Sequence, residues 1–173
     1  GYSELLYRAI NDAYAIGILV VAASGNDPSN VQDLDNNPLY PICFTGKNGE
    51  NIIMGVAASN GLDERASLSS VGTNCIDITG PGTGFYTTTA FDAASPDALR
   101  EYYSDGWSGT SVAAPVVSGV AALAKSLDKS LTAQDLISLI TKNSENISEQ
   151  NPGLDGKLGK GRINAYLVMQ ATL

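Results

Sequence analysis

At 173 residues the chain is long enough for one domain with a substantial core. With 43% hydrophobic and 16% charged residues, its composition excludes general disorder. Eighteen acidic residues against ten basic give a net charge of −8, spread along the chain rather than gathered in runs. That reads as a solvated acidic surface and argues against nucleic acid or an anionic membrane as the main partner.

In chain order, Ser3 opens an amphipathic helix that places Leu5, Leu6, Ala9, Ile10, Ala13 and Tyr14 on one stripe and ends at Gly17. Residues 18–23 follow as a β-branched run of the kind buried on both faces of a parallel sheet. Ser24-Gly25-Asn26-Asp27-Pro28 breaks it, and residues 27–39 read as a polar surface loop. Residues 51–58 predict a second buried strand, 75–79 a third, closed by Gly80-Pro81-Gly82, and 85–89 a fourth. Residues 90–106 read as irregular, with a helical turn over 96–102. Residues 111–127 form a helix apolar nearly all round, expected to be buried. A further helix spans 131–143, with Thr132 and Asp135 spaced as a capping box and Leu136, Ile137, Leu139 and Ile140 facing inward. Gly161-Arg162-Ile163-Asn164 leads into a last helix through Met169. Strands alternating with helices predict one α/β unit over 1–173 with a mainly parallel sheet flanked by helices.

No stretch approaches the ~20 apolar residues of a membrane span, so none is expected. The chain opens at Gly1 without a leader pattern and is read as an excised or processed piece. Cys43 and Cys75 fit neither a zinc pattern nor Cys-x-x-Cys; a single disulfide and two buried thiols both suit them.

Chemistry concentrates in Gly109-Thr110-Ser111-Val112-Ala113-Ala114-Pro115. Gly109 and Thr110 leave room for close approach to Ser111, Pro115 sits in the first helical turn, and small residues behind hold the serine rigidly. A helix N-terminus also supplies N–H donors to developing negative charge, which a serine attacking a carbonyl needs. At the end of the first strand, the Asn26 amide offers a second donor, with Gly25 admitting a substrate backbone. The chain contains no histidine, so this nucleophile lacks its usual base.

Taken together, these segments resemble the subtilisin-like serine peptidases (subtilases). The run at 109–115 is similar to that family's serine signature, and Ala22-Ala23-Ser24-Gly25-Asn26 to the strand bearing its oxyanion asparagine. Order and spacing agree through Tyr40-Pro41, residues 53–58, Arg65-Ala66-Ser67-Leu68-Ser69-Ser70-Val71-Gly72, residues 76–82 and Gly159-Lys160-Gly161-Arg162-Ile163-Asn164-Ala165. The resemblance implies a subtilisin-like α/β fold here lacking its N-terminal strands, with Ser111 as nucleophile and Asn26 as oxyanion donor beside the Ser111 N–H. Ala23, Ser24 and Gly25 are implied to line the pocket for the residue before the scissile bond. Asp27 is implied at its rim, favouring basic or polar side chains. Three features depart from the pattern: Val116 replaces a histidine, residues 89–106 run several residues long, and the triad histidine and aspartate regions are absent.

The resemblance further implies a peptide or protein substrate, a secreted location that favours the Cys43–Cys75 disulfide, and no cofactor for the chemistry. Many subtilases bind calcium, and Asp33, Asp35 and Asn36-Asn37 carry suitable oxygens. Their spacing is not an EF-hand, and a solvated loop is the better reading. Gly80-Pro81-Gly82-Thr83-Gly84-Phe85 fails the dinucleotide pattern, Gly-x-Ser-x-Gly is absent, and Asn146-Ile147-Ser148 is a glycosylation sequon. Two functions follow: the C-terminal part of an active serine endopeptidase domain, or a pseudo-peptidase or protein-binding module without a working triad. In either case the isolated chain is expected to be inactive. With an unpaired strand edge, it is expected to bind its missing N-terminal half or self-associate.

Overall fold

A computed structural model describes residues 1–27, 31–94 and 101–173. Ser3 accepts a hydrogen bond from the Leu6 N–H and starts helix α1, Glu4–Ala15. Strand β1, Val20–Ala23, pairs in parallel with β2, Ile53–Ser59, which pairs in parallel with β3, Ile78–Pro81. An antiparallel hairpin follows, β4 over Phe85–Thr88 and β5 over Tyr103–Trp107. The helices α2, Thr110–Leu127, and α3, Ala133–Lys142, come next. The chain closes with β6, Ser144–Glu145, β7, Arg162–Ile163, and α4, Ala165–Thr172. The main sheet runs β1-β2-β3-β7-β6, parallel except for β6. A mainly parallel sheet flanked by helices is what the pattern predicted.

All seven residues of β2 are buried, and their alternation divides the core. Met54, Val56 and Ala58 pack with Val117, Val120 and Ala124 of α2 and with Ile137 and Ile140 of α3. Ile53 and Ala57 pack on the other side with Ile10 of α1, Leu34, Ile42 and Phe44. The predicted Thr132–Asp135 capping box is present at the start of α3. Cys43 and Cys75 are joined in a disulfide, which ties the connection between β1 and β2 to the approach of β3.

Several expectations need correction. β1 is not buried on both faces: it is the edge of the sheet, and of its four residues only Ala22 is buried. The α1 stripe is largely uncovered, with Ile10 buried but Leu5 81% exposed. α2 buries one face against β1, β2 and β3 and leaves Leu123 and Leu127 exposed. It is also long and apolar enough to span a membrane, because Ser, Thr and Gly interrupt its apolar run without making it polar; in the fold that length lies along the sheet. β3 starts at Ile78, later than the predicted strand. Within the stretch read as irregular, β5 forms a strand, hidden in the sequence by its Asp105 and Gly106. Residues 96–100 of the predicted helical turn lie outside the described residues.

Candidate active site

The parallel strand β1 ends at Ala23, and the chain turns there through Ser24, Gly25 and Asn26. Gly25 has φ +99, and a Cβ there would meet Leu39 Cδ1 at 2.9 Å and Ser70 Oγ at 3.3 Å, so the turn admits only glycine. Its carbonyl accepts from both the N–H and the hydroxyl of Ser70, each at 3.1 Å. The loop that carries Ser70 is itself held by Arg65, whose guanidinium donates to the carbonyls of Ala66, Ser67 and Ser69. Next along, the Asp27 N–H donates to Leu68 O. Ser24 is fully buried, and its hydroxyl has no hydrogen-bond partner among the described residues. Ala23, Gly25 and Asp27 are each partly exposed.

Asn26 and the start of α2 are locked together across 84 positions of sequence. Asn26 Oδ1 accepts from the Thr110 N–H at 2.9 Å and from the Thr110 hydroxyl at 3.0 Å. Thr110 Oγ1 in turn accepts from the Gly25 N–H at 3.2 Å. These two donors fix the amide's orientation, because only the oxygen of Asn26 can receive them. Nδ2 is thereby left to donate elsewhere, and the Asn26 residue is exposed.

At Gly109, φ +156, a Cβ would lie 3.0 Å from Ser111 Oγ and 3.3 Å from Asn26 Nδ2. The hydroxyl and the amide therefore border one small space that glycine keeps open. In the first turn of α2, the Val112 and Ala113 N–H groups both donate to Gly109 O. The Ser111 N–H has no acceptor among the described residues, and Ser111 is exposed. An exposed hydroxyl, an aimed amide and a free backbone N–H thus converge, the set that an addition to a carbonyl requires.

Beside Ser111 opens a groove of about 400 Å³. Phe85, Thr87 and Trp107 of the hairpin line one side, and Val112, Pro115 and Val116 of α2 the other.

The chain is similar over its length to secreted proteases. The extracellular protease of Xanthomonas campestris pv. campestris is 32% identical over 172 residues, which are 99% of this chain and 27% of that protein. A profile of the subtilase family (peptidase S8) matches residues 1–161. The chain belongs to the subtilase family. Among subtilases, subtilisin DY of Bacillus licheniformis is 32% identical, covering 97% of this chain and 53% of that protein. Thermitase of Thermoactinomyces vulgaris is 31% identical, covering 95% and 49%. A solved protease of Pseudoalteromonas arctica superposes with a TM-score of 0.76 at 28% identity, covering all of this chain and 48% of that one. The chain thus spans about half, or less, of the subtilases it matches.

Ser111 and Asn26, far apart in sequence, are brought together. Thr110, read from the sequence as leaving room beside Ser111, is instead fully buried and holds Asn26; Arg65, which holds the loop behind, was assigned no role from the sequence although it lies inside a family-like segment. The acidic loop residues serve the fold: Asp33 pairs with Lys157 at 2.6 Å, which holds the Asp33 carboxyl below its usual range. Asp35 accepts from the Thr73 N–H and hydroxyl and from Asn74. Gly80-Pro81-Gly82 closes β3 and leads to β4, not to a helix.

Proposed function

We propose that this chain is the part of a serine endopeptidase catalytic domain that carries the nucleophile and the oxyanion site. Ser111 Oγ attacks the scissile carbonyl, forming an acyl-enzyme and expelling the amine; water then hydrolyses the acyl group. The developing oxyanion accepts from Asn26 Nδ2 and the Ser111 N–H. A histidine takes the Ser111 proton and returns it to the leaving amine, with an aspartate orienting it. The chain has no histidine, so the base comes from a segment beyond it, and the family resemblance places the aspartate there too. The acyl transfer uses no cofactor. Ala23 and Gly25, backed by Ser24, form the wall for the residue before the scissile bond, and Asp27 at its rim favours basic over acidic side chains.

The observation that carries this reading is the Thr110 lock on Asn26 Oδ1, which leaves Nδ2 and Ser111 Oγ around one open space. A docking site for the missing N-terminal segment is supported by the open side of the fold. Among the described residues no strand pairs with the outer edge of β1, and Ile16 and Ile18, just before it in the chain, are exposed. Without that segment the same surface favours self-association. Secretion is supported by the extracellular relatives and by the Cys43–Cys75 disulfide.

An organophosphonate probe tests the reading. The full-length gene product should be labelled rapidly at Ser111 and lose labelling in Ser111→Ala, while the 173-residue chain alone should not react at an enzyme-like rate. Rapid labelling of the chain alone would overturn the dependence on a further segment. A full-length product that neither reacts nor cleaves peptides would instead be a binding module.

A further inference from the structure

Asparagine is followed directly by glycine at 48–49 and 60–61, and nowhere else in the chain. Such a pair carries a reaction of its own. The backbone nitrogen after an asparagine attacks the side-chain carboxamide carbon, and a glycine there has no Cβ to obstruct the approach. Whether the reaction runs depends on what holds the two groups, and the fold treats the two pairs differently. Asn60 is locked: its Oδ1 accepts from the Leu62 N–H at 2.9 Å and the Glu64 N–H at 3.1 Å, and its Nδ2 donates to Glu64 Oε2 at 2.8 Å. Rotating that carboxamide costs these bonds, about 1 kcal/mol each.

Asn48 is not locked. It lies exposed in the turn Gly46-Lys47-Asn48-Gly49-Glu50, and its carboxamide makes no hydrogen bond among the described residues; only its backbone N–H is engaged, by Glu50 Oε2 at 2.8 Å. The attacking nitrogen, that of Gly49, is held by one bond, its N–H to Gly46 O at 3.0 Å. A single bond in a surface turn opens by local fluctuation. Gly49 has φ +82, and a Cβ there would meet nothing within 4 Å, so the space around it is open. Exposed apolar surface calls for a cover, but the side chains here, Lys47, Asn48 and Glu50, are polar and call for none.

We propose that Asn48 is a site of spontaneous deamidation, a modification that Asn60 escapes. The Gly49 nitrogen bonds to Asn48 Cγ, and the carboxamide nitrogen leaves as ammonia, taking the proton that the Gly49 nitrogen gives up. Water then opens the succinimide at either carbonyl, leaving aspartate or isoaspartate at 48. Either product adds a negative charge to the −8 of the chain, beside Glu50. The isoaspartate also adds a methylene to the backbone of a turn closed by the Gly46 N–H to Glu50 O at 2.8 Å. Directly after that turn stands Asn51, whose Nδ2 donates to Asp77 Oδ1 at 2.6 Å, and Asp77 also accepts from the Gly55 N–H of β2. The lengthened turn therefore loosens the polar anchor at the entry to β2. None of this depends on the acyl-transfer reading of Ser111.

The full-length gene product, blocked with the organophosphonate so that it cannot digest itself, is aged in mildly alkaline buffer and followed by anion exchange and peptide mapping. A more acidic form should accumulate, its mass gain of NH2 replaced by OH confined to the peptide that holds residue 48. Asn48→Gln should abolish that form, and Gly49→Ala should slow it about tenfold through the Cβ beside the nitrogen. In the same protein unfolded in denaturant the lock on Asn60 is gone, so both sites should convert at similar rates. Conversion of native Asn60 as fast as Asn48 would overturn the proposal. So would a native protein that converts at neither site while the unfolded chain converts at both. The isoaspartate form should melt below Asn48→Asp, which carries the same charge without the methylene; equal melting temperatures would overturn the loosened anchor.

Discussion

The two walls that meet at Ser111 are held by different forces. On the Asn26 side the turn is fixed by directional bonds: Thr110 to Asn26 and Gly25, Ser70 to the Gly25 carbonyl, Arg65 to the loop behind. On the hairpin side Phe85 pairs with Trp107, and stacked rings stand in solvent. Hydrogen bonds set an atom's position and direction, which stabilising a developing charge demands. Ring contacts supply area and tolerate sliding, which suits recognition of a side chain. In the reaction proposed above, the first wall serves the chemistry and the second is suited to recognition.

The strongest way to break that division is to compare one truncation from each wall. Asn26→Ala removes Nδ2 and should lower kcat by about 10²–10³ with little change in KM, the loss known for an oxyanion donor of a subtilisin. Trp107→Ala should act mainly through KM for peptides extended on the leaving-group side. Steady-state kinetics of both variants in the full-length product decide it. Equal losses in kcat would show that the hairpin also positions the reacting atoms.

The same division explains what the sequence could disclose. Ser111 and Asn26 were legible because each sits in a short, distinctive run at an element boundary. The capping box of α3 was legible because all its atoms lie within four residues. The Thr110–Asn26 lock was not, since it joins residues 84 apart and depends on how α2 meets the end of β1. β1 and α1 show the opposite failure. Their apolar patterns predicted burial that is mostly absent, because periodicity shows which face seeks cover and not whether this chain supplies it. β5 escaped because an exposed two-stranded ribbon needs no buried face, so its sequence carries no alternation to detect.

A second comparison asks whether polar anchoring extends below the Asn26 wall into the sheet. Asp77, just before β3, accepts from the Gly55 N–H at 2.7 Å and from Asn51 Nδ2 at 2.6 Å. Burial nonetheless pushes its carboxyl up to about 6, against the pull of both donors and Lys160. Between the ordinary carboxylate range and that value the native state keeps a proton that the unfolded chain has lost. The stability this group contributes is therefore complete below about pH 4 and lost as pH rises through about 6, by about 3 kcal/mol. Asp77→Asn cannot titrate and should flatten that part of the profile. Thermal unfolding of the full-length product and this variant at pH 4 and pH 7 measures it; parallel profiles would show that Asp77 titrates alike in the folded and unfolded chain.

The finest test separates holding an atom from merely filling space on the Asn26 wall. Thr110 is fully buried and touches no substrate in the proposed reaction; its hydroxyl accepts from Gly25 and donates to Asn26 Oδ1. Thr110→Val keeps the shape and the backbone donor to Asn26 but deletes both hydroxyl bonds, a change of about 1 kcal/mol each. The Asn26 amide then keeps one anchor of two and should wander. We expect kcat to fall about tenfold with KM nearly constant, and Thr110→Ser to restore most of the loss. A purely structural role would instead lower thermal stability in both variants and leave kcat per folded molecule unchanged. Loss in Val with recovery in Ser ties rate to the hydroxyl itself, because the serine restores both hydrogen bonds while leaving the methyl's space empty.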